Sequence, residues 1–138
     1  MNYDTDKFIS NVIDSKFCLS PRGFGRSSYR FFEVVKLGSV PIYIWDDKNW
    51  LPFKNKIDYS RLAIVLNISE IDKLDSIIRA ITEEQYDSMI SYAKSIMYLY
   101  TYDGACKEFI KSINKTITIK CKNGFGDQLI GYACSDVL

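Results

Sequence analysis

The chain has 138 residues, 47% of them hydrophobic, with 18 Lys and Arg against 17 Asp and Glu and no histidine. That is enough apolar material for one domain with a real core, and it argues against a disordered chain or a globally basic nucleic-acid grip. Without imidazole, the commonest general base and the commonest metal ligand are both missing.

The first seven residues, Met1 to Lys7, are polar and acidic and read as neither a signal peptide nor an anchor. No apolar run approaches the roughly 20 residues that span a bilayer. Taken as given, the chain is therefore expected to be soluble and cytoplasmic, with no membrane segment. Four scattered cysteines (Cys18, Cys106, Cys121 and Cys134) form no CxxC pair. They read as reduced, buried thiols, and a zinc site is not expected.

Residues 4 to 15 have the spacing of a short helix with Phe8, Val12 and Ile13 on one face. Phe17-Cys18-Leu19 is a strand-sized apolar run. A loop rich in Gly, Ser and Arg follows, and Ser27 or Ser28 is a candidate cap for a helix to Leu37, with Gly38 as its stop. Val40 to Trp45 reads as a second strand with Pro41 near its start, where a missing N–H does least harm. An irregular segment, Asp46 to Asp58, leads to a third strand at Leu62 to Leu66. Ser69 opens a helix to Ile81, Thr82 caps another with Glu83 and Glu84 in its first turn, and residues 100 to 113 read as helical. The rhythm is that of a parallel α/β sheet flanked by helices.

The tail differs. Thr116 to Cys121 alternates like a strand, Asn123 to Gln128 is a glycine turn, and an apolar helix runs to Leu138. The expected division is therefore residues 1–113 as one lobe and 114–138 as the opening of a further strand, glycine turn and helix that is cut short. A last strand and helix of the same domain is the alternative.

The segment from Arg22 to Glu33 concentrates the chemistry. Gly23 and Gly25 allow tight turning, Ser27 and Ser28 offer hydroxyls, and Arg22, Arg26 and Arg30 offer positive forks. Glycines, arginines and a helix N-terminus after a strand are what a diphosphate requires. Glu33, one turn after Arg30, could accept from ribose hydroxyls or simply pair with Arg30. Asp46-Asp47 at a strand end reads as a loop turn rather than a DxD metal site, and no metal is expected. Trp45 and Trp50 fit loop packing better than ring stacking.

The run from Phe17 to Glu33, followed by Leu37 to Ile44, Asp46-Asp47, Trp50-Leu51-Pro52-Phe53 and Ile57-Asp58-Tyr59, resembles the exostosin-like glycosyltransferase family. The likeness covers roughly residues 15 to 113. It implies a Rossmann-like C-terminal lobe of a GT-B glycosyltransferase, the lobe that holds the donor. It also implies inverting transfer of a sugar from a nucleotide-diphospho-sugar to a glycan or protein hydroxyl, with no further cofactor. The donor contacts it implies are Arg22, Gly23, Gly25, Arg26, Ser27, Ser28 and Arg30, with Glu33 near the ribose or sugar. The catalytic base would come from a second lobe or chain, and a membrane-anchored parent would place the site in the Golgi lumen. Two other readings stand beside this one: a non-catalytic nucleotide-sugar-binding or interaction module, and, with less support, a NAD-type Rossmann enzyme, since the loop lacks a full G-x-G-x-x-G.

Overall fold

A computed structural model describes residues 5–24 and 27–120, with side chains described through residue 113. The chain divides into two compact units, Met1–Met97 and Tyr98–Leu138. The first unit holds strands β1 (Phe17–Pro21), β2 (Val40–Trp45) and β3 (Ile64–Asn67), and helices α1 (Thr5–Ile13), α2 (Tyr29–Leu37), α3 (Leu74–Ala80) and α4 (Glu83–Ile96). The strands form one parallel sheet in the order β1-β2-β3. The expected α/β, Rossmann-like architecture is therefore present.

Parallel strands need a crossover, and a sheet with crossovers on both faces buries both. The alternation along β2 shows this. Ile42 joins Ile64 and Leu66 in a buried cluster, against which Ile44, Leu74, Ile77, Ile78 and Ile81 pack. Tyr43 points to the opposite face. There it is fully buried and meets Phe31 of α2 edge-on, ring centroids 6.0 Å apart. Phe31, Val34 and Val35 of α2 are all buried.

The differences from the sequence reading are local. The spacing puts Ile13 on the inner face of α1, but it is exposed and Val12 alone is buried there. The third strand starts at Ile64 rather than Leu62, because the N–H groups of Leu62 and Ala63 still donate to the Tyr59 carbonyl and close a 3₁₀ turn. The helix expected from Ser69 is a 3₁₀ segment, Ile68–Lys73, before α3 begins. The Asn67 side chain accepts from both the Ser69 N–H and its hydroxyl and holds this tighter start. Cys18 and Cys106 are half-buried free thiols.

In the second unit, α5 (Tyr102–Lys120) continues through residues 116–120, where a strand was expected. Alternating β-branched residues carry a weak and context-dependent strand preference, while extending an existing helix adds a hydrogen bond per residue fixed. The glycine turn at Asn123 to Gln128 and the helix expected after it lie outside the described residues.

Two caps define helix boundaries. Thr82 and Gln85 form a reciprocal capping box at the start of α4. Gly38 ends α2 in the left-handed region at φ 86°, donating to the Val34 and Val35 carbonyls. A Cβ at Gly38 would meet nothing within 4 Å. Gly38→Ala therefore isolates backbone strain and should cost about 1–2 kcal/mol in urea denaturation. Phe31→Ala, by contrast, empties a core site under β2 and should cost about 3–5 kcal/mol in the same assay.

Candidate anion-binding site

Because all three strands run the same way, their carboxyl ends lie on one edge of the sheet. Ligands of open α/β sheets bind at that edge. β1 leads through Arg22 and Gly23 to the N-terminus of α2. β2 leads into Asp46-Asp47, and β3 ends at Asn67.

The β1–β2 ladder continues one residue past the strand: the Arg22 N–H donates to the Ile44 carbonyl at 3.1 Å. That bond holds Arg22 beside the end of β2. Its Nε lies 2.9 Å from Asp46 Oδ1, and Nη1 lies 4.0 Å from Asp47 Oδ1. The aspartates expected to form a plain loop turn do turn the chain, each accepting the next residue's N–H, at 2.8 and 2.6 Å. They also brace an arginine from the neighbouring strand. The Asn67 Nδ2 reaches the Asp46 carbonyl at 3.5 Å, so the ends of all three strands are linked.

Of the other expected donor contacts, Gly23, Ser27 and Ser28 lie on the same loop. The Gly23 N–H donates to the Ser27 carbonyl at 3.3 Å and closes the turn. A Cβ at Gly23 would sit 3.7 Å from that carbonyl, an ordinary contact, so the turn itself does not demand glycine. Ser28 occupies the N-cap of α2 in an extended conformation and is buried, yet its side chain makes no capping bond; Ser27 is half-buried. Gly25 and Arg26 lie outside the described residues. Arg30 and Glu33 are exposed on α2, and no ion pair joins them among the described residues. The Arg30 guanidinium instead lies over the Phe8 ring of α1, 5.1 Å from its centroid. The loop thus gathers Arg22, Gly23, Ser27 and Ser28, while Arg30 faces a different neighbour.

Sequence reasoning missed Asp46 as the partner of Arg22, and missed Tyr43. The Asp46 signal was available: each residue lies just past the end of a strand, in strands that pair in parallel. Tyr43 matters because its buried phenol lies near the Trp50 backbone amide and Arg22. Burial raises its pKa above the ordinary value, against the opposing pull of that amide and of Arg22, so the phenol stays protonated.

The loop from Asp46 to Asp58 is fastened at further points. The Tyr59 hydroxyl donates to the Pro52 carbonyl at 2.6 Å, and the Asp58 N–H donates to the Tyr92 hydroxyl of α4 at 2.8 Å. Phe53 adopts a positive φ of 54°, uncommon for a bulky residue, and its carbonyl accepts from Lys56 and Ile57. Trp50 is 52% exposed, with the Lys48 ammonium 5.4 Å from its ring centroid. Beside the loop is a surface cleft of about 580 Å³ lined by Asn49, Lys54, Lys56 and Tyr59 among others. Tyr43→Phe removes a buried hydroxyl without changing ring packing. It should cost about 1–2 kcal/mol, read by urea denaturation.

The description "Exostosin GT47 domain" belongs to the family whose model matches residues 2–81, more than half of the chain. Exostosin-1 homolog of Caenorhabditis elegans is 41% identical over 73 residues, 52% of this chain and 18% of that protein. Exostosin-1 of Drosophila melanogaster is 34% identical over 84 residues, 60% of this chain and 10% of that protein. A probable glycosyltransferase of Arabidopsis thaliana is 29% identical over 82 residues, 59% of this chain and 17% of that protein. The matched stretches thus make up less than a fifth of each of these relatives. With its parallel sheet, its Arg22-to-Ser28 loop and this match, the chain belongs to the Exostosin GT47 domain family.

Proposed function

We propose that this chain is the donor-binding lobe of a GT-B glycosyltransferase, which holds a nucleotide-diphospho-sugar at the β1–α2 loop for inverting transfer to a glycan or protein hydroxyl. The observation that carries this reading is the loop itself. A family segment bearing Arg22, Gly23, Ser27 and Ser28 leads from a strand end into a helix N-terminus. Amide N–H groups there carry partial positive charge, and an arginine fork supplies a full one.

The chemistry follows from charge. As the sugar leaves, negative charge grows on the diphosphate, and fixed donors that meet it lower the barrier without needing a metal. Arg22, Arg26 and Arg30 are the cations assigned to this task, with the backbone at Gly23, Gly25, Ser27 and Ser28. Glu33 is assigned to the ribose or sugar hydroxyls. The acceptor hydroxyl must lose a proton, and this reading assigns that base to a second lobe or chain. For a parent chain with a membrane anchor, the reaction would lie in the Golgi lumen. No helix among the described residues is long and apolar enough to cross a membrane.

A second reading is a nucleotide-sugar-binding or interaction module without turnover. Single-turnover sugar transfer by the chain together with the lobe or partner chain that supplies the base separates the two.

Thermal shift with UDP, GDP and ADP tests the donor site. One of them at about 100 times its Kd should stabilise the chain by roughly 2.7 kcal/mol. No stabilisation by any of the three at millimolar concentration sinks the reading. Arg30→Ala should weaken binding of the active diphosphate by about 1–3 kcal/mol, measured by calorimetry; unchanged affinity would remove Arg30 from the site.

A further inference from the structure

We infer that Asp46 is a positioning residue of the donor site, acting through Arg22: its carboxylate fixes the guanidinium so that the fork's remaining N–H groups are presented to the diphosphate. The inference rests on the donor-site reading above and adds to it a residue that the loop motif does not contain.

Four contacts support it. Arg22 is pinned at its backbone by the Ile44 carbonyl and at Nε by Asp46 Oδ1, 2.9 Å away. The same Oδ1 accepts the Asp47 N–H at 2.8 Å, so the carboxylate is itself held by its own turn. The Asp46 carbonyl takes the Asn67 amide from β3. Arg22 is thus braced from two neighbouring strand ends.

The mode of bracing matters. A guanidinium has five N–H donors in a rigid plane, and the Asp46 carboxylate forms its ion pair at the Nε edge. Asp47 Oδ1 lies 4.0 Å from Nη1, within ion-pair range but beyond hydrogen-bond length. The Nη groups keep donors that two oxygens of a phosphate can accept from side by side. A long side chain ordered before the ligand arrives loses less freedom on binding. The pair is about one-third to one-half exposed, so solvent screens repulsion between Asp46 and a bound anion.

The test uses the 138-residue chain and whichever of UDP, GDP or ADP it binds. Asp46→Ala should raise that Kd about five- to tenfold. In the Arg22→Ala background the same change should do almost nothing, because a residue that acts only through Arg22 has no effect once Arg22 is gone. Asp46→Asn keeps an oxygen for both N–H groups and should restore part of the affinity. It also serves as the readable variant if Asp46→Ala does not fold. Equal or tighter binding by both variants overturns the inference, as do Asp46 and Arg22 effects that simply add. Failure of the wild-type chain to bind any of the three overturns the donor-site reading instead.

Discussion

The parallel pairing of β1 with β2 is the constraint on which the rest of the site depends. Its register sets Pro21 opposite Ile44. One further hydrogen bond, from the Arg22 N–H to the Ile44 carbonyl, carries the ladder past the end of β1. From that bond follow the position of Arg22 beside Asp46, the exit direction of the loop, and the entry to α2. A slip of one residue would turn Ile42 and Tyr43 to each other's face. It would bury the wrong side of β2 and carry Arg22 away from the aspartates. The apolar core therefore specifies the site's geometry as well as the fold.

Aromatic residues extend that control to the loop after β2. Phe31 meets Tyr43 and Tyr59 at ring distances of 6.0 Å each. The Tyr59 hydroxyl then donates to the Pro52 carbonyl, and the Tyr43 phenol lies near the Trp50 backbone. Each ring is buried or half-buried at its body and polar at its tip, which suits a residue that must join a core to an irregular backbone. A loop of this length would otherwise lose much conformational entropy on ordering. Here the cost is shared among buried rings that the core already holds.

Much of this was legible in the sequence, for identifiable reasons. Strand β2 announced itself through a continuous apolar run, and Gly38 through its place after an amphipathic segment. Thr82 was legible as a cap because a side-chain oxygen before a helix has few better uses. What failed was information that is not local. The tight start at Ile68 depends on how Asn67 folds back on Ser69, and the later start of β3 depends on Tyr59 capturing two amides. Residues 116–120 had the alternation of a strand, yet they continue α5, with no strand paired to them among the described residues. The Arg22–Asp46 pair, 24 positions apart, is visible only once the two strands are laid side by side.

The charge balance at the strand ends separates two tasks that a basic loop is usually assumed to perform together. Beside Asp46 and Asp47, Arg22 is largely compensated, so it adds little net attraction for an anion at a distance. Its contribution is direction: donors held in a known plane at a known edge. Long-range attraction then rests on charges outside this cluster, with Arg30 on α2 the described candidate from the loop motif, and on the amide dipoles at the start of α2. Arg30 is held over an apolar ring by weak forces and remains exposed, which suits a group that must reach. In the proposed donor site, a cation that reaches and a braced cation that orients would divide between two elements the work of binding and of stabilising developing charge. Only the braced one is fixed before the ligand arrives, and fixed dipoles are the ones that favour a transition state over a ground state.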